Sequence, residues 1–343
     1  MTIAAPVQLV GSVSLPDVES VFRAVATVGA ERIPDGEVGD RFYWIQFQKL
    51  LFDEVDGLER VGEPGFKIRG LFDVRLFRQV GPVDLPPLGY ADAAIESYGV
   101  FTRLRDAGEI AAGTRFQVSL PTAAGVVAAS IVPEERAEFE LVYRDALLRE
   151  VAAITEAIPA EDLAIQWDVA TEFAIFERDR KPVFQIEPWW DGVDVAGVVE
   201  RLSVLGAAVP DGVQLGYHLC YGDVEEEHFV QPEDASLLAR VAGGAIAGID
   251  RRVDWIHLPV PIDRDDEAYF APLADVEWGE TQVFLGLVHH EDGVEGAVRR
   301  AVAARTAVGS FGIGTECGFG RGPEERTQPL LRLHREISDA LAA

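Results

Sequence analysis

Short apolar runs alternate with longer amphipathic stretches along most of the chain. The runs are Val7–Val13, Ala30–Pro34, Phe66–Leu71, Arg115–Leu120, Leu163–Val169, Val213–Cys220, Val253–Val260, Gln282–Val288 and Phe311–Thr315. Each has the length of a β-strand. The stretches between them carry helical spacing. Asp17 is placed to cap a helix running to about Val28. Pro133 opens a long one with Phe139, Val142, Tyr143, Ala146, Leu147 and Ile154 on one face, and Asp234 stands ahead of Leu237, Leu238 and Val241. Val294–Val308 sets arginines opposite alanine and valine, and Gln328–Leu341 is a closing helix.

Strand–helix alternation predicts an α/β fold with a parallel sheet. At 343 residues with no boundary in the pattern, the expectation is one (β/α)8 TIM barrel, a single domain over residues 1–343. Nine strand candidates exceed the barrel's need by one, so one is an accessory strand or a loop of strand-like composition. A dinucleotide-binding fold would need a glycine fingerprint after the first strand, and Gly11-Ser12-Val13 is not one. The proline-rich stretch Asp73–Tyr90 reads as an irregular loop.

Composition narrows the partners. Thirty basic against 58 acidic residues give a net charge of -28, which disfavours nucleic acid and anionic membrane surfaces. No apolar run reaches the roughly 18 residues of a membrane span, and the N-terminus lacks a basic start followed by an apolar run. The two cysteines do not suggest a disulfide scaffold. The expected compartment is therefore the reducing cytoplasm.

In a barrel the chemistry sits at the C-terminal ends of the strands. Those ends read Asp35-Gly36-Glu37, Gln166 and Asp168, His218 and Cys220, His257, His289-His290, and Glu316-Cys317-Gly318. Positions i and i+2 of a strand share a face, so His218 and Cys220 both point into the barrel mouth. Imidazole and thiolate are ordinary zinc ligands, and Cys317 is a third of the right kind. His257 is either a fourth ligand or a core histidine. Glu37 and Asp168 lie on separate strands and can bind a substrate ammonium or move protons. Of the adjacent His289 and His290, one can face the site as a general acid or base. His228 follows a run of glutamates and reads as solvated.

These residues resemble a family. His218-Leu219-Cys220-Tyr221 and Glu316-Cys317-Gly318 together resemble the metal strand and closing segment of the catalytic barrel of cobalamin-independent methionine synthase. That barrel belongs to a superfamily that includes uroporphyrinogen decarboxylase. Gly11-Ser12 is similar to the family's opening segment, which adds Ser12 to the substrate-binding candidates. Asp35-Gly36-Glu37 with Arg41, and Ile165-Gln166-Trp167-Asp168, look like its amino-acid-binding segments, which bring in Glu37, Gln166 and Asp168. Val288-His289-His290 falls where the family keeps a catalytic histidine. Two departures stand out. Asp168 is followed by Val169-Ala170 rather than Glu-Pro, and the strand around His257 lacks the family's zinc-binding glutamate.

The resemblance implies a zinc-dependent methyl or alkyl transferase. Its partners would be a small-molecule thiol and an alkyl donor, and its zinc would be held by His218, Cys220 and Cys317, with His257 or else a water or substrate atom in place of the glutamate. The competing readings are a decarboxylase or lyase of the uroporphyrinogen decarboxylase kind, which uses no metal, and a non-catalytic zinc- or thiol-binding protein.

Overall fold

The computed structural model describes residues 4–43, 45–68, 70–180, 186–190, 194–223 and 226–342. Its strands, in chain order, are β1 (Arg32–Pro34), β2 (Leu58–Arg60), β3 (Lys67–Ile68), β4 (Phe72–Asp73), β5 (Phe77–Gln79), β6 (Arg115–Pro121), β7 (Leu163–Val169), β8 (Gln214–Leu219), β9 (Trp255–Pro259), β10 (Gln282–Gly286) and β11 (Gly312–Ile313). Seven form one all-parallel sheet in the order β1-β6-β7-β8-β9-β10-β11. Strand order follows chain order, as it must when each strand is followed by a helix that returns the chain over the same face. Among the described residues, no helix is long and apolar enough to cross a membrane.

The strands have two buried sides. On β7 all seven positions are buried. Leu163, Ile165, Trp167 and Val169 join the large core between sheet and helices, which includes Phe139, Tyr143, Leu147, Val151 and Ile154 from the helix Arg136–Ala157. Ala164 faces the other way and clusters with Trp255 and Phe284 inside the curl of the sheet. Gly216 makes room for that filling: a Cβ there would stand 1.9 Å from the Trp255 ring. Arg32, 1% exposed, lies over Trp255 at 4.3 Å and donates to Gln214 (2.7 Å) and Gln282 (2.6 Å). A guanidinium thus plugs the N-terminal end of the sheet, its charge spread over an aromatic face and two amide oxygens.

The expected first strand, Val7–Val13, is corrected. It forms a single parallel bridge, Val7 to Ile313, and the sheet is not closed by a continuous ladder. The Gln8 amide donates to the Ile313 carbonyl (2.9 Å), and the Val13 amide reaches Gly36 beyond the end of β1 (3.0 Å). Between these points side chains replace the neighbouring strand. Gln117 Nε2 donates to the Leu9 and Val10 carbonyls (3.1 and 2.8 Å), and Ser119 and Gln166 also donate to Val10 (3.0 and 2.7 Å). The buried carbonyls are satisfied, so no strand is needed to pay for their desolvation.

The surplus strand candidate, Phe66–Leu71, belongs to an excursion between β1 and the helix Tyr90–Asp106. There β2 pairs with β5, and β3 with β4, both antiparallel. β5 also falls inside the proline-rich stretch expected to be irregular. The capping expectation at Asp17 holds, since its carboxylate accepts from the Ser20 amide at 2.7 Å.

Candidate metal and active site

His218 and Cys220 come from the end of β8, and Cys317 from the turn after β11. The ligating atoms of all three lie within 4.8 Å of one another. The two sulfurs are 3.7 Å apart and both cysteines are free. A disulfide needs about 2.05 Å. Two sulfurs bonded at about 2.3 Å to one tetrahedral zinc stand about 3.8 Å apart, which matches the spacing here. The chemistry of the donors points the same way. The neighbouring Cys220, and then burial, push the Cys317 thiol well above the usual range. Two thiolates side by side in a dry site require a cation between them. His218 Nε2 is buried and has no hydrogen-bond partner. Burial, reinforced by His257, holds the ring far below the usual imidazole range, in the neutral form that a metal accepts.

His257, read as either a fourth ligand or a core histidine, is not among the three residues whose ligand atoms converge within 4.8 Å. In the parallel ladder it lies directly beside His218. The two Nδ1 atoms are 2.9 Å apart, and His257 Nε2 faces Gly314, where an added Cβ would stand 3.2 Å from it. Burial pushes His257 down to about 3, offset in part by the Thr315 carbonyl. If the shared proton sits on His218 Nδ1 and His257 Nδ1 accepts it, the Nε2 lone pair of His218 is left free; the contact at 2.9 Å allows His257 to set the His218 tautomer in this way.

Glu37 is buried, lies in the left-handed region (φ 52°), and has one carboxylate oxygen without a partner. Such strain in a glutamate marks a position held by its surroundings. Asp35 does the holding: it accepts from the Glu37 amide (2.9 Å), Arg41 (2.9 Å) and Ser97 (2.8 Å). Gly11 leaves space for the carboxylate, since a Cβ there would stand 2.4 Å from Glu37 Oε1. Burial, then the Asp35 charge, push Glu37 up to about 8 against the pull of Arg321 and Arg41. Asp168 is pushed well above the carboxylate range by burial, by Glu37 and by Cys317. Glu37 is thus one of the groups that raise Asp168, while its own rise comes from burial and Asp35.

Gln166 donates to Asp168 Oδ1 (2.8 Å) and to the Val10 carbonyl (2.7 Å). Ser12 accepts from the Gly320 amide (3.2 Å), and its carbonyl accepts from Phe319 (2.9 Å). Both were candidates for touching substrate. Here Gln166 orients Asp168, and Ser12 pins the loop that carries Cys317.

The paired histidines separate. His289 is buried, donates from Nε2 to the Val260 carbonyl (2.9 Å), and turns Nδ1 toward Glu316 at 3.8 Å. Burial, then Arg300, push it down to about 4. His290 is exposed and lies beside Glu291 (3.2 Å) and Arg326 (3.4 Å).

Three residues are additions that periodicity could not find. The side chain of His228 is 5% exposed rather than solvated, and its Nε2 is 3.4 Å from Glu316 Oε1. Glu316 sits between His228 and His289, and burial pushes it well above the carboxylate range. Arg321 lies over Tyr43, pairs with Asp223 and stands 3.9 Å from the Cys317 sulfur. The only sequence signal was adjacency, because Glu316 precedes Cys317 and Arg321 follows four residues later.

No protein-family model matches the chain, and no curated protein matches it. Among solved structures it is similar to a B12-independent methionine synthase from Shewanella sp. W3-18-1 in complex with selenomethionine. The identity is 14% over 98% of each chain, with a TM-score of 0.63. At that identity the likeness is one of fold.

Proposed function

We propose that this chain is a methionine-synthase-like transferase that moves a methyl or other alkyl group onto a small thiol. It would use a zinc ion held by His218 Nε2, Cys220 Sγ and Cys317 Sγ in a (β/α)8 barrel whose eighth position is the 7–13 segment. The observation that carries this reading is the convergence of two free sulfurs and a His218 ring nitrogen within 4.8 Å, in a ring whose Nε2 has no hydrogen-bond partner. Three protein ligands leave a tetrahedral ion one open position, the arrangement of catalytic rather than structural sites. When bound, zinc supplies a Lewis acid that keeps a substrate thiol deprotonated at neutral pH, where a free thiol with a pKa near 8.5 is mostly protonated.

The remaining work falls to the chain. Glu37 and Asp168, two buried carboxyls both raised by burial, favour a substrate carrying an ammonium group, which would neutralise both. Gln166 fixes the orientation of Asp168 through a bond within the same strand. His289 has its Nε2 tied to the backbone, so a proton is held or moved at Nδ1, the atom turned to Glu316. Small-molecule substrates and a reducing cytoplasm suit two free cysteines at the centre.

Metal analysis of the purified protein tests the reading. About one zinc per chain is expected, and loss on Cys220→Ser or Cys317→Ser with the fold retained. Active protein free of zinc would end the zinc part of the proposal. A cobalt-substituted form should change its visible spectrum with a thiol substrate, and silence across a thiol panel would remove sulfur as the acceptor.

A further inference from the structure

The loop after β11 is built to hold one side chain in place. Gly318 and Gly320 lie against Ser12: an added Cβ would stand 2.4 Å from Ser12 Oγ at the first and 2.6 Å from Ser12 Cβ at the second. The Gly320 amide donates to Ser12 Oγ (3.2 Å) and the Phe319 amide to the Ser12 carbonyl (2.9 Å). Little freedom remains between Cys317 and Arg321. The Arg321 side chain is buried. Its Nε donates to Asp223 Oδ2 (2.8 Å) and its Nη1 to the Phe42 carbonyl (3.1 Å). Its Nη2 is shared between Asp223 and the Cys317 sulfur, 3.9 Å away. Only the planar fork of an arginine serves three acceptors in this way.

Arg321 thereby joins the two segments that carry sulfur. Asp223 stands just beyond Cys220 and Arg321 just beyond Cys317, so their ion pair crosses from one cysteine loop to the other. Each sulfur receives one donor. The Gly222 amide points back to Cys220 Sγ at 3.2 Å. Gly222 adopts φ 86°, and a Cβ there would stand 2.2 Å from the Phe229 ring, so the turn that aims this amide requires glycine. The two donors differ in charge. A backbone amide is neutral, whereas a guanidinium brings a full positive charge to a buried place, where charges act strongly. Donors beside a ligand sulfur alter what that sulfur gives a metal.

We propose that Arg321 is a positioning residue that draws negative charge from Cys317 Sγ, with Asp223 moderating it, so that a metal on the two sulfurs stays electron-poor enough to take a thiol as thiolate. This inference rests on the metal reading given above. Two thiolates cancel the charge of a divalent ion, and a guanidinium against one of them offsets part of that cancellation. Asp223 holds the guanidinium in place and tempers its charge. The two partners therefore act on the same sulfur with opposite sign. Without the Arg321 charge Cys317 gives more to the metal, and without the Asp223 charge it gives less.

Cobalt(II) added to the metal-free full chain tests this, because the sulfur-to-cobalt charge-transfer band reports how readily the thiolates give up charge. Arg321→Met should move the band to longer wavelength and weaken cobalt binding about 10–100-fold, the usual loss for an outer partner of a ligand. Arg321→Lys, which keeps the charge without the fork, should restore the wavelength in part. Asp223→Asn, which keeps the size and an acceptor oxygen, should move the band to shorter wavelength. A residue that only holds the loops together would not give shifts of opposite sign. Bands that stay put, or that move together in folded Arg321→Met and Asp223→Asn, overturn the proposal and leave the metal site standing. Should Arg321→Met fail to fold by circular dichroism, the sign of the Asp223→Asn shift decides alone. A wild-type chain that takes up no cobalt overturns this proposal and the metal reading together.

Discussion

Replacing His257 by phenylalanine isolates the role given to it. The ring keeps its approximate volume between β8 and β10, so packing changes little. What is lost is the acceptor for His218 Nδ1, 2.9 Å away in a site where both imidazoles are at most 1% exposed. Two outcomes follow for the His218 proton. If it stays on Nδ1 it becomes a buried donor without a partner, at a cost of about 1–3 kcal/mol. If it moves to Nε2 it blocks the atom that faces the sulfurs, and the metal must displace it. Either route takes about 1–3 kcal/mol from metal binding, a tenfold to hundredfold loss of affinity, in line with outer-shell partners of ligating histidines generally. Competition against a chromophoric chelator reads the affinity directly. Melting of the zinc-free proteins checks that the fold is kept. Unchanged affinity in folded His257→Phe would refute the tautomer argument. A change in the cobalt spectrum showing a lost ligand would restore His257 to the coordination sphere.

Two further outcomes can be measured on the same protein. Glu37 ionises near 4.3 in an unfolded chain and at about 8 in the folded one, so the folded state favours its neutral form. Its contribution is complete below the first value and is lost as pH rises toward the second. Thermal melts should show Glu37→Gln gaining several degrees over wild type at pH 8 and nothing at pH 4, and an equal effect at both would contradict the shift. At the other end of the sheet, Arg32→Met strips Gln214 and Gln282 of their donor and should cost about 2 kcal/mol in urea unfolding. The zinc content should be unchanged, because the plug and the sulfurs lie at opposite ends of the strands, and parallel loss of zinc would contradict that separation.

The legible parts of the fold were those written as uninterrupted local pattern. Leu163–Val169 was placed to the residue because seven buried positions in a row leave no other reading. His218 and Cys220 were paired by the two-residue period of a strand, which needs no knowledge of the rest of the chain. The Val7–Val13 segment misled for a physical reason: its side chains are buried like a strand's, but Gln117, Ser119 and Gln166 occupy the carbonyls a neighbour would have taken. Register was not legible: only the ladder sets His257 directly beside His218. His228 and Arg321 lie on loops, where burial is decided by chain segments far away in sequence. Arg32 falls inside the strand candidate Ala30–Pro34 with no role read for it, and only curvature of the sheet turns it inward.

The central claim concerns three atoms and one ion, and X-ray absorption at the zinc edge measures it. Protein purified with its metal should give a shell of two sulfurs at about 2.3 Å, with the remaining scatterers nitrogen or oxygen at about 2.0–2.1 Å. Both sulfurs should be accounted for by Cys220 and Cys317. A shell of light atoms alone, or a folded protein that takes up no zinc while both thiols titrate as free, would contradict the account.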